Sequence, residues 1–493
     1  MKKNLIILSV VILSSFMLLT SCKKDEVLPD APIVNAPAAA INVDASQSVA
    51  VTFNVVVPGG FSSASVSALN GTAVISTKPE VSATTGNVEV SFTAGNTAGA
   101  GSITLTVTDK NQKTDDATAI ISVAEEILII PVTGNITTNT TWETGKTYIL
   151  QSRIAVVNGV TLTIQPGVIV KGAAGSDANA TALIIAQGGK INAVGTATQP
   201  IIFTSVADQI EPGQIASPNL NPTLNGLWGG LIVLGKAHIS YKNANGDSQT
   251  ASIEGIPAND PNGIYGGTLD ADNSGVIKYI SIRHGGTNIG EGNEINGLTL
   301  GGVGSGTVIE NVEVISNQDD GIEFFGGTVN VKNALLWNIG DDALDTDQAF
   351  AGTVDNFVII NPGDECFELD GPEGTYAGAG HTIKNGIVSV KNAQGLIDFD
   401  ASTDINMMNI YFRDLTAGQD VEEYDVYSAN TKGFASSAFQ VTLPAGSLVT
   451  DFFKKGSDAI TTSVAAGAAT VGADLTKFNT WTWASVAGQL TGL

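Results

Sequence analysis

Glu323, Asp345, Glu368 and Asp398 recur at intervals of 22, 23 and 30 residues, each directly after an apolar residue: Ile322, Leu344, Phe367 and Ile397. Two places further on stand Phe325, Asp347, Asp370 and Asp400. Carboxylates repeated in this way can do three kinds of chemistry. Their oxygens can hold a hard cation such as Ca2+. Two of them flanking a glycosidic bond can hydrolyse it. A cation on the carboxylates can also bind an acidic sugar while a Lys or Arg removes a proton, which is lyase chemistry. Paired acids sharpen the pattern, since Asp319-Asp320, Asp341-Asp342 and Asp364-Glu365 recur at 22 and 23 residues just before the acidic positions.

For catalysis the candidates are Asp341, Asp342, Asp345 and Asp347, with Arg283 and His284 as bases. The run from Asp341 to Asp347 resembles the aspartates of polygalacturonases. The Gly-His-Gly and Arg-Ile-Lys elements of that family are absent, and His381 stands in Gly380-His381-Thr382 without the second glycine. Arg283, Lys391 and Arg413 are the free bases, and none falls in an acidic stretch. His284, beside Gly285-Gly286, also suits a polar turn. For a ligand or cation the candidates are Glu323, Asp345, Asp347, Glu368, Asp370, Asp398 and Asp400. A separate loop places oxygens at alternate positions, Asp270, Asp272 and Ser274, as short Ca2+ loops do; it lacks an EF-hand glutamate, and its residues also make ordinary turns. With catalytic parts missing, binding without catalysis ranks first, and a polysaccharide lyase or glycoside hydrolase second.

Strands must position these acids. Strict alternation of apolar and acidic residues predicts a strand with one buried and one solvated face, and recurrence near 22 residues predicts stacking as coils of a parallel β-helix. Stacked strands lie about 4.8 Å apart, so each carboxylate pair repels by roughly 1 kcal/mol in water and about 3 at an effective dielectric of 20. A bound cation or polar ligand would offset this, as would raised pKa values. Asn311, Asn333, Asn356, Asn385 and Asn409 recur at 22, 23, 29 and 24 residues and check the register. They predict a ladder of amides bonded from coil to coil. Glu310, Lys332, Asp355 and Lys384 precede the first four and alternate in sign, so they are expected to pair across strands.

The fold class predicted is all-β: a right-handed parallel β-helix preceded by a small immunoglobulin-like β-sandwich. Alternating runs such as Val49–Phe53 and Val88–Phe92, closed by the hairpin Ser102–Asp109 and Ala117–Val123, resemble bacterial immunoglobulin-like domains and place the sandwich at 33–125. Gly159–Gly167, Ala182–Ala193, Pro200–Ser205, Trp228–Val233 and Gly275–Arg283 resemble early β-helix coils. The β-helix then spans 127–430, with loop insertions near 207–225 and 241–269, and 431–493 is a capping segment whose aromatic residues could alternatively stack on sugars. The stretch from Tyr148 to Arg413 resembles a family of secreted bacterial β-helix lipoproteins, some labelled transporter-like. The resemblance implies a fold and no activity, and no apolar span after residue 21 supports transport.

The chain carries a formal net charge of −25 over 493 residues, and between Glu254 and Asp425 stand 29 carboxylates against six Lys or Arg. That balance excludes nucleic acid as a partner. Residues 1–21 read as a signal peptide: Lys2 and Lys3, an apolar run, then Leu19-Thr20-Ser21-Cys22. The last four resemble the lipobox of bacterial lipoproteins, which implies lipidation of Cys22, a tether over 22–32 and outer-membrane anchoring. Lys23-Lys24-Asp25-Glu26 resembles the surface-export signal of the Bacteroidota type, which implies an outward-facing protein. A glycan or cell-surface ligand is the expected partner and Ca2+ the expected cofactor. Cys366 is the remaining cysteine; carboxylates beside it would raise its pKa, so it is expected to be inert.

Overall fold

The computed structural model describes residues 27–125, 128–253, 256, 260–289, 294–430 and 435–493. The predicted signal peptide, Cys22 and the predicted export residues Lys23 to Glu26 lie outside them. The chain divides into two compact units, Met1–Ile127 and Leu128–Leu493. In the first, eight strands alternate buried and exposed positions, as in Ser48–Val56 and Thr85–Ala94. They form two four-stranded sheets, one of the first, third, sixth and fifth strands, the other of the second, eighth, seventh and fourth. Phe53, Phe92, Leu105 and Ile121 fill the shared core, giving the immunoglobulin-like sandwich.

The second unit is a right-handed parallel β-helix. One sheet stacks eight short strands: Arg153–Val156, Ala182–Ile185, Leu231–Leu234, Leu298–Gly301, Ile322–Phe325, Leu344–Asp347, Phe367–Leu369 and Asp398–Phe399. Leu183, Leu231, Leu298, Ile322, Leu344 and Phe367 stand in register as one inward apolar column. The opposite parity changes character along the axis. Ala155, Ile184, Ile232 and Thr299 precede Glu323, Asp345, Glu368 and Asp398 in a single column. The apolar half is roofed by the insertion, whose Ile253, Ile256 and Tyr265 pack on Ile184, Ile232 and Leu234. Among the described residues no such apolar roof extends over the acidic half.

The longer sheet carries the asparagines. Asn311, Asn333, Asn356, Asn385 and Asn409 take φ of 59°, 59°, 63°, 61° and 59°, a left-handed bend that Asn tolerates better than other residues with a Cβ. Asn333 donates to Asn311 at 2.8 Å, Asn356 to Asn333 at 2.7 Å and Asn409 to Asn385 at 3.1 Å. The ladder has one departure: Asn385 donates to Asp355 at 2.7 Å, not to Asn356. In the charge column Glu310, Lys332, Asp355 and Lys384 are in register, extended backward by Lys278, with ion pairs Lys278–Glu310 at 3.0 Å and Lys384–Asp355 at 3.8 Å.

Two expectations need correction. The β-helix does not end at 430, because Ser437–Val441 and Thr461–Ser463 continue the long sheet in parallel, and Phe439, Phe452 and Phe453 close the core. The last stretch of 431–493 is more than an end cap. Phe478, Trp481 and Trp483 fold back onto the outer face of that sheet, over Ile315, Leu335, Trp337, Val358 and Ile360. Glu313, whose parity predicts a solvated side chain, is buried beneath them.

Candidate functional site

The acidic strands bring Glu323 opposite Asp345, Asp345 opposite Glu368 and Glu368 opposite Asp398. Beside them Phe325 faces Asp347. Asp370 N donates to Thr346 O, and Asp400 N to Leu369 O, which continues the second column. The paired acids at the preceding turn have partly structural work. Asp320 Oδ1 accepts the Asp342 N–H at 3.1 Å, and Asp342 Oδ1 accepts the Glu365 N–H at 2.7 Å, so each coil's acid holds the backbone of the next.

Glu323, Asp345, Asp347, Glu368 and Asp370 line a groove of about 340 Å3 together with Asp319, Asp320, Asp341, Ile253, Glu294, Ile295 and Asn296, whereas the predicted Asp398 and Asp400 continue the columns outside that lining. Carboxylate oxygens of Asp320, Glu323 and Asp345 lie within 4.8 Å of one another, as do those of Asp319, Asp320 and Asp341. Asn296 donates its amide to Glu323. At the groove, Asp345 Oδ1 and Asn296 Oδ1 are buried with no hydrogen-bond partner among the described residues. Asp345 is 8% exposed and Asn296 4%. The set is all hard oxygen, which suits Ca2+ or Mg2+ and not a soft metal. Asp320, Glu323, Asp345 and Asn296 are the residues that would hold the ion.

The electrostatics carry the strain foreseen in the sequence. Burial first, then neighbouring carboxylates, push Asp320, Glu323 and Asp345 well above the usual range. Burial raises Asp342 to about 10, aided by its hydrogen bond with Glu368, and raises Asp347 to about 7. Glu365 is lifted to about 7 and Asp370 to about 6, again by burial and then by adjacent acids. Asp341 and Asp398 are raised for the same reasons.

A pH dependence follows. In an unfolded chain these acids titrate near 4. Between pH 8 and 5 the folded protein therefore takes up protons that the unfolded chain does not, so stability contributed this way is present at low pH and lost as pH rises through 6 to 7. His381 opposes it. Burial drops its pKa to about 3, which costs about 2 kcal/mol by pH 5 as the unfolded imidazole protonates. Burial lowers His284 as well; Asp342, Asp347, Glu365 and Asp370 together outweigh the two imidazoles even after screening is allowed for. In chelator the melting temperature should be higher at pH 5 than at pH 8; a melting temperature that falls on acidification from pH 8 to 5 would show the carboxylates to be ordinary solvated acids.

Other predicted residues fall elsewhere. Arg283 is no free base: it is fully buried, donates from Nε to Ser281 Oγ at 2.7 Å and lies 3.8 Å from Glu313. His284 sits at a corner with φ 59° and its Nδ1 lies 2.5 Å from Leu224 O, with its ring edge-on to Trp483. It is a turn residue under cover. His381 packs on Phe350 in the core. In the Asp270 loop, Asp272 accepts from Ser274 Oγ at 3.4 Å, Asn273 closes a turn on Gly275 N at 2.8 Å, and Asp270 is taken by His238 at 2.8 Å. The three oxygens proposed for Ca2+ there are engaged within the protein. Cys366 is buried and free, and burial pushes its thiol well up, as its neighbours foretold.

Asn296 and Glu294 escaped sequence reading because they sit in a segment that departs from the coil period. Asp320 was visible as a paired acid, but only the structure turns it into the groove.

A family profile described as pectate-lyase-like β-helix domain matches residues 134–486. The chain belongs to that family. Among solved structures, the chain is similar to a family 28 exopolygalacturonase from Yersinia enterocolitica at 9% identity, with 88% of this chain and 90% of that chain covered and a TM-score of 0.20. At that score no residue of the enzyme can be mapped onto the groove. No curated protein matches the chain at a significant level.

Proposed function

We propose that this pectate-lyase-like β-helix domain binds a glycan at its acidic groove with a divalent cation as helper. The observation that carries the reading is the convergence of Asp320, Glu323 and Asp345 within 4.8 Å, with Asp345 Oδ1 left without a partner. Three adjacent acids, Asp320 and Asp345 buried and Glu323 half-buried, repel one another when ionised, and a cation that binds only the folded state relieves that repulsion and stabilises by mass action. The cation then offers open positions to sugar hydroxyls or a uronate, while Asp347, Glu368 and Asp370 along the groove accept further hydroxyls. Ca2+ should raise the melting temperature and chelator lower it. Asp345→Asn with Asp347→Asn should shrink that response while raising stability in chelator, because relief of repulsion then dominates. A melting temperature that stays constant from micromolar to millimolar Ca2+ would sink the cation.

A second reading is favoured by Asp342, beside the groove, which burial and then the neighbouring Glu368 push up to about 10. A carboxylic acid kept protonated at neutral pH is the form a glycoside hydrolase needs as its general acid. Release of reducing ends or unsaturated uronate from a polysaccharide panel would establish it over binding alone.

The proposed setting is the outer face of the outer membrane, on the strength of Leu19 to Cys22 and Lys23 to Glu26. Two or more acyl chains on one residue anchor stably. Cys22→Ala should leave the protein unlipidated, and changing Lys24, Asp25 and Glu26 together to Ala should strand it inside. If protease added to intact cells still digests the triple variant, the export reading fails.

A further inference from the structure

A second cavity, of about 280 Å3, lies where the insertion meets the turn after Asp370, among His238, Ser240, Asp247, Gln249, Thr375 and Tyr376. His238 is set there by an acid 32 residues away. Asp270 Oδ1 accepts both the His238 backbone N–H at 3.1 Å and its Nδ1 at 2.8 Å. An ionised carboxylate only accepts, so in the neutral ring the proton sits on Nδ1 and the lone pair on Nε2. No described residue takes Nε2, and the side chain is 30% exposed. Tyr376 stacks on the imidazole at 4.8 Å and 18°, which fixes the ring from its face as Asp270 fixes it from its edge. Opposite, Asp247 Oδ2 is held by the Thr375 N–H at 3.1 Å and by the Thr375 hydroxyl, and no described residue donates to Oδ1.

The fittings are those of a designed acceptor set: a basic nitrogen, a carboxylate oxygen, the amide of Gln249 and an aromatic pair. No Lys or Arg lines the cavity. Anions are repelled by Asp247 and Asp270, while a polyhydroxyl ring brings the donors these acceptors want and an apolar face for the aromatic edge. We infer that this cavity is a subsite for one neutral sugar residue, with His238 Nε2 and Asp247 accepting its hydroxyls. It adjoins the acidic groove through a shared ridge. Asp347 of the groove is followed by Gln348, whose Nε2 donates to Glu373 at 2.8 Å, and Ser240 of the cavity donates to Gln348 O and accepts from Glu373 N. The inference rests on the glycan reading but not on the cation, since a neutral ring needs none here.

The test is made on the full chain in chelator, with a panel of neutral methyl hexosides and pentosides as probes and the imidazole NMR signals of His238 as readout, assigned through His238→Gln. Saturable shifts of His238 by at least one neutral glycoside, unchanged in Asp345→Asn and weakened about tenfold in Tyr376→Ala by loss of one aromatic contact, are the expected result. Lack of any shift across the panel overturns the subsite. So does an equal response to a methyl uronate, or a response confined to methylammonium, which would mark a cation site. Because chelator is present throughout, loss of this subsite and loss of the groove's cation are read separately. Tyr376→Phe, which keeps the ring and the fold, should bind as the native chain does; a tenfold loss there would shift the contact from ring to hydroxyl and overturn the stacking role.

Discussion

Glu313→Ala is expected to lower the unfolding free energy of the β-helix unit by about 3–5 kcal/mol, although its position in an alternating strand predicts almost nothing. Glu313 is fully buried. Its Oε2 accepts from Ser281 Oγ at 2.6 Å and from Trp483 N at 3.1 Å, and its Oε1 from Ala484 N at 3.0 Å. Arg283, equally buried, lies 3.8 Å away with its ring partner Trp483 at 5.0 Å. Two Arg283 nitrogens already lack hydrogen-bond partners, so removing the carboxylate leaves a buried cation uncompensated and strips two backbone amides of their acceptor. The last segment should loosen first. Limited proteolysis near Phe478 to Ala484 and urea unfolding measure both effects. Glu313→Leu with Arg283→Met should recover most of the loss, since an apolar pair removes both charges at once. A single variant within about 1 kcal/mol of the native chain would mean that the outer face is solvated after all.

The second large effect is expected in the core under the groove. Phe367 is wholly buried, stands in register with Leu344, and meets Phe357 edge to face at 5.6 Å and 84°. Phe367→Ala should cost about 3–5 kcal/mol, the transfer of the ring plus the cavity left between stacked coils that cannot collapse sideways. Because Glu368 follows it in the same strand, the loss should also blur the groove, and Ca2+ should restore less stability than it gives the native chain. Denaturant unfolding with and without Ca2+ checks both. A cost below about 1 kcal/mol would contradict the inward column.

Why one residue was legible and the other was not has a physical cause. Phe367 belongs to a column whose meaning depends only on parity and period, and a recurrence of 22 and 23 residues supplies both. Glu313 depends on a second layer: the outward position is solvated only if nothing lies over it. The signal was present in its own column, where Ser281, Glu313, Leu335, Val358, Ile387 and Tyr411 stand in register. Four apolar neighbours on an outward face announce a cover. The same reasoning run on the short-strand sheet separates Ile184 and Ile232, under the insertion, from Asp345 and Glu368. The cation set was half legible for another reason. Glu323 and Asp345 lie on the repeat, whereas Asn296 comes from a segment of irregular length, and His238 and Asp270 meet only because an insertion folds back between them.

The asparagine ladder carries one more consequence. Every coil from Asn311 to Asn409 turns at the same residue type with the same φ and passes a hydrogen bond or its substitute to the next. Bend and adhesion are thus supplied locally, by the coil itself, and along the ladder each coil bonds to the next. On that side the protein can be lengthened or shortened in whole coils, while the returning segment of Phe478, Trp481 and Trp483, which lies over several coils at once, has to be refitted. The groove would then gain or lose one carboxylate per rung, so its reach along a polymer is a quantity set by counting.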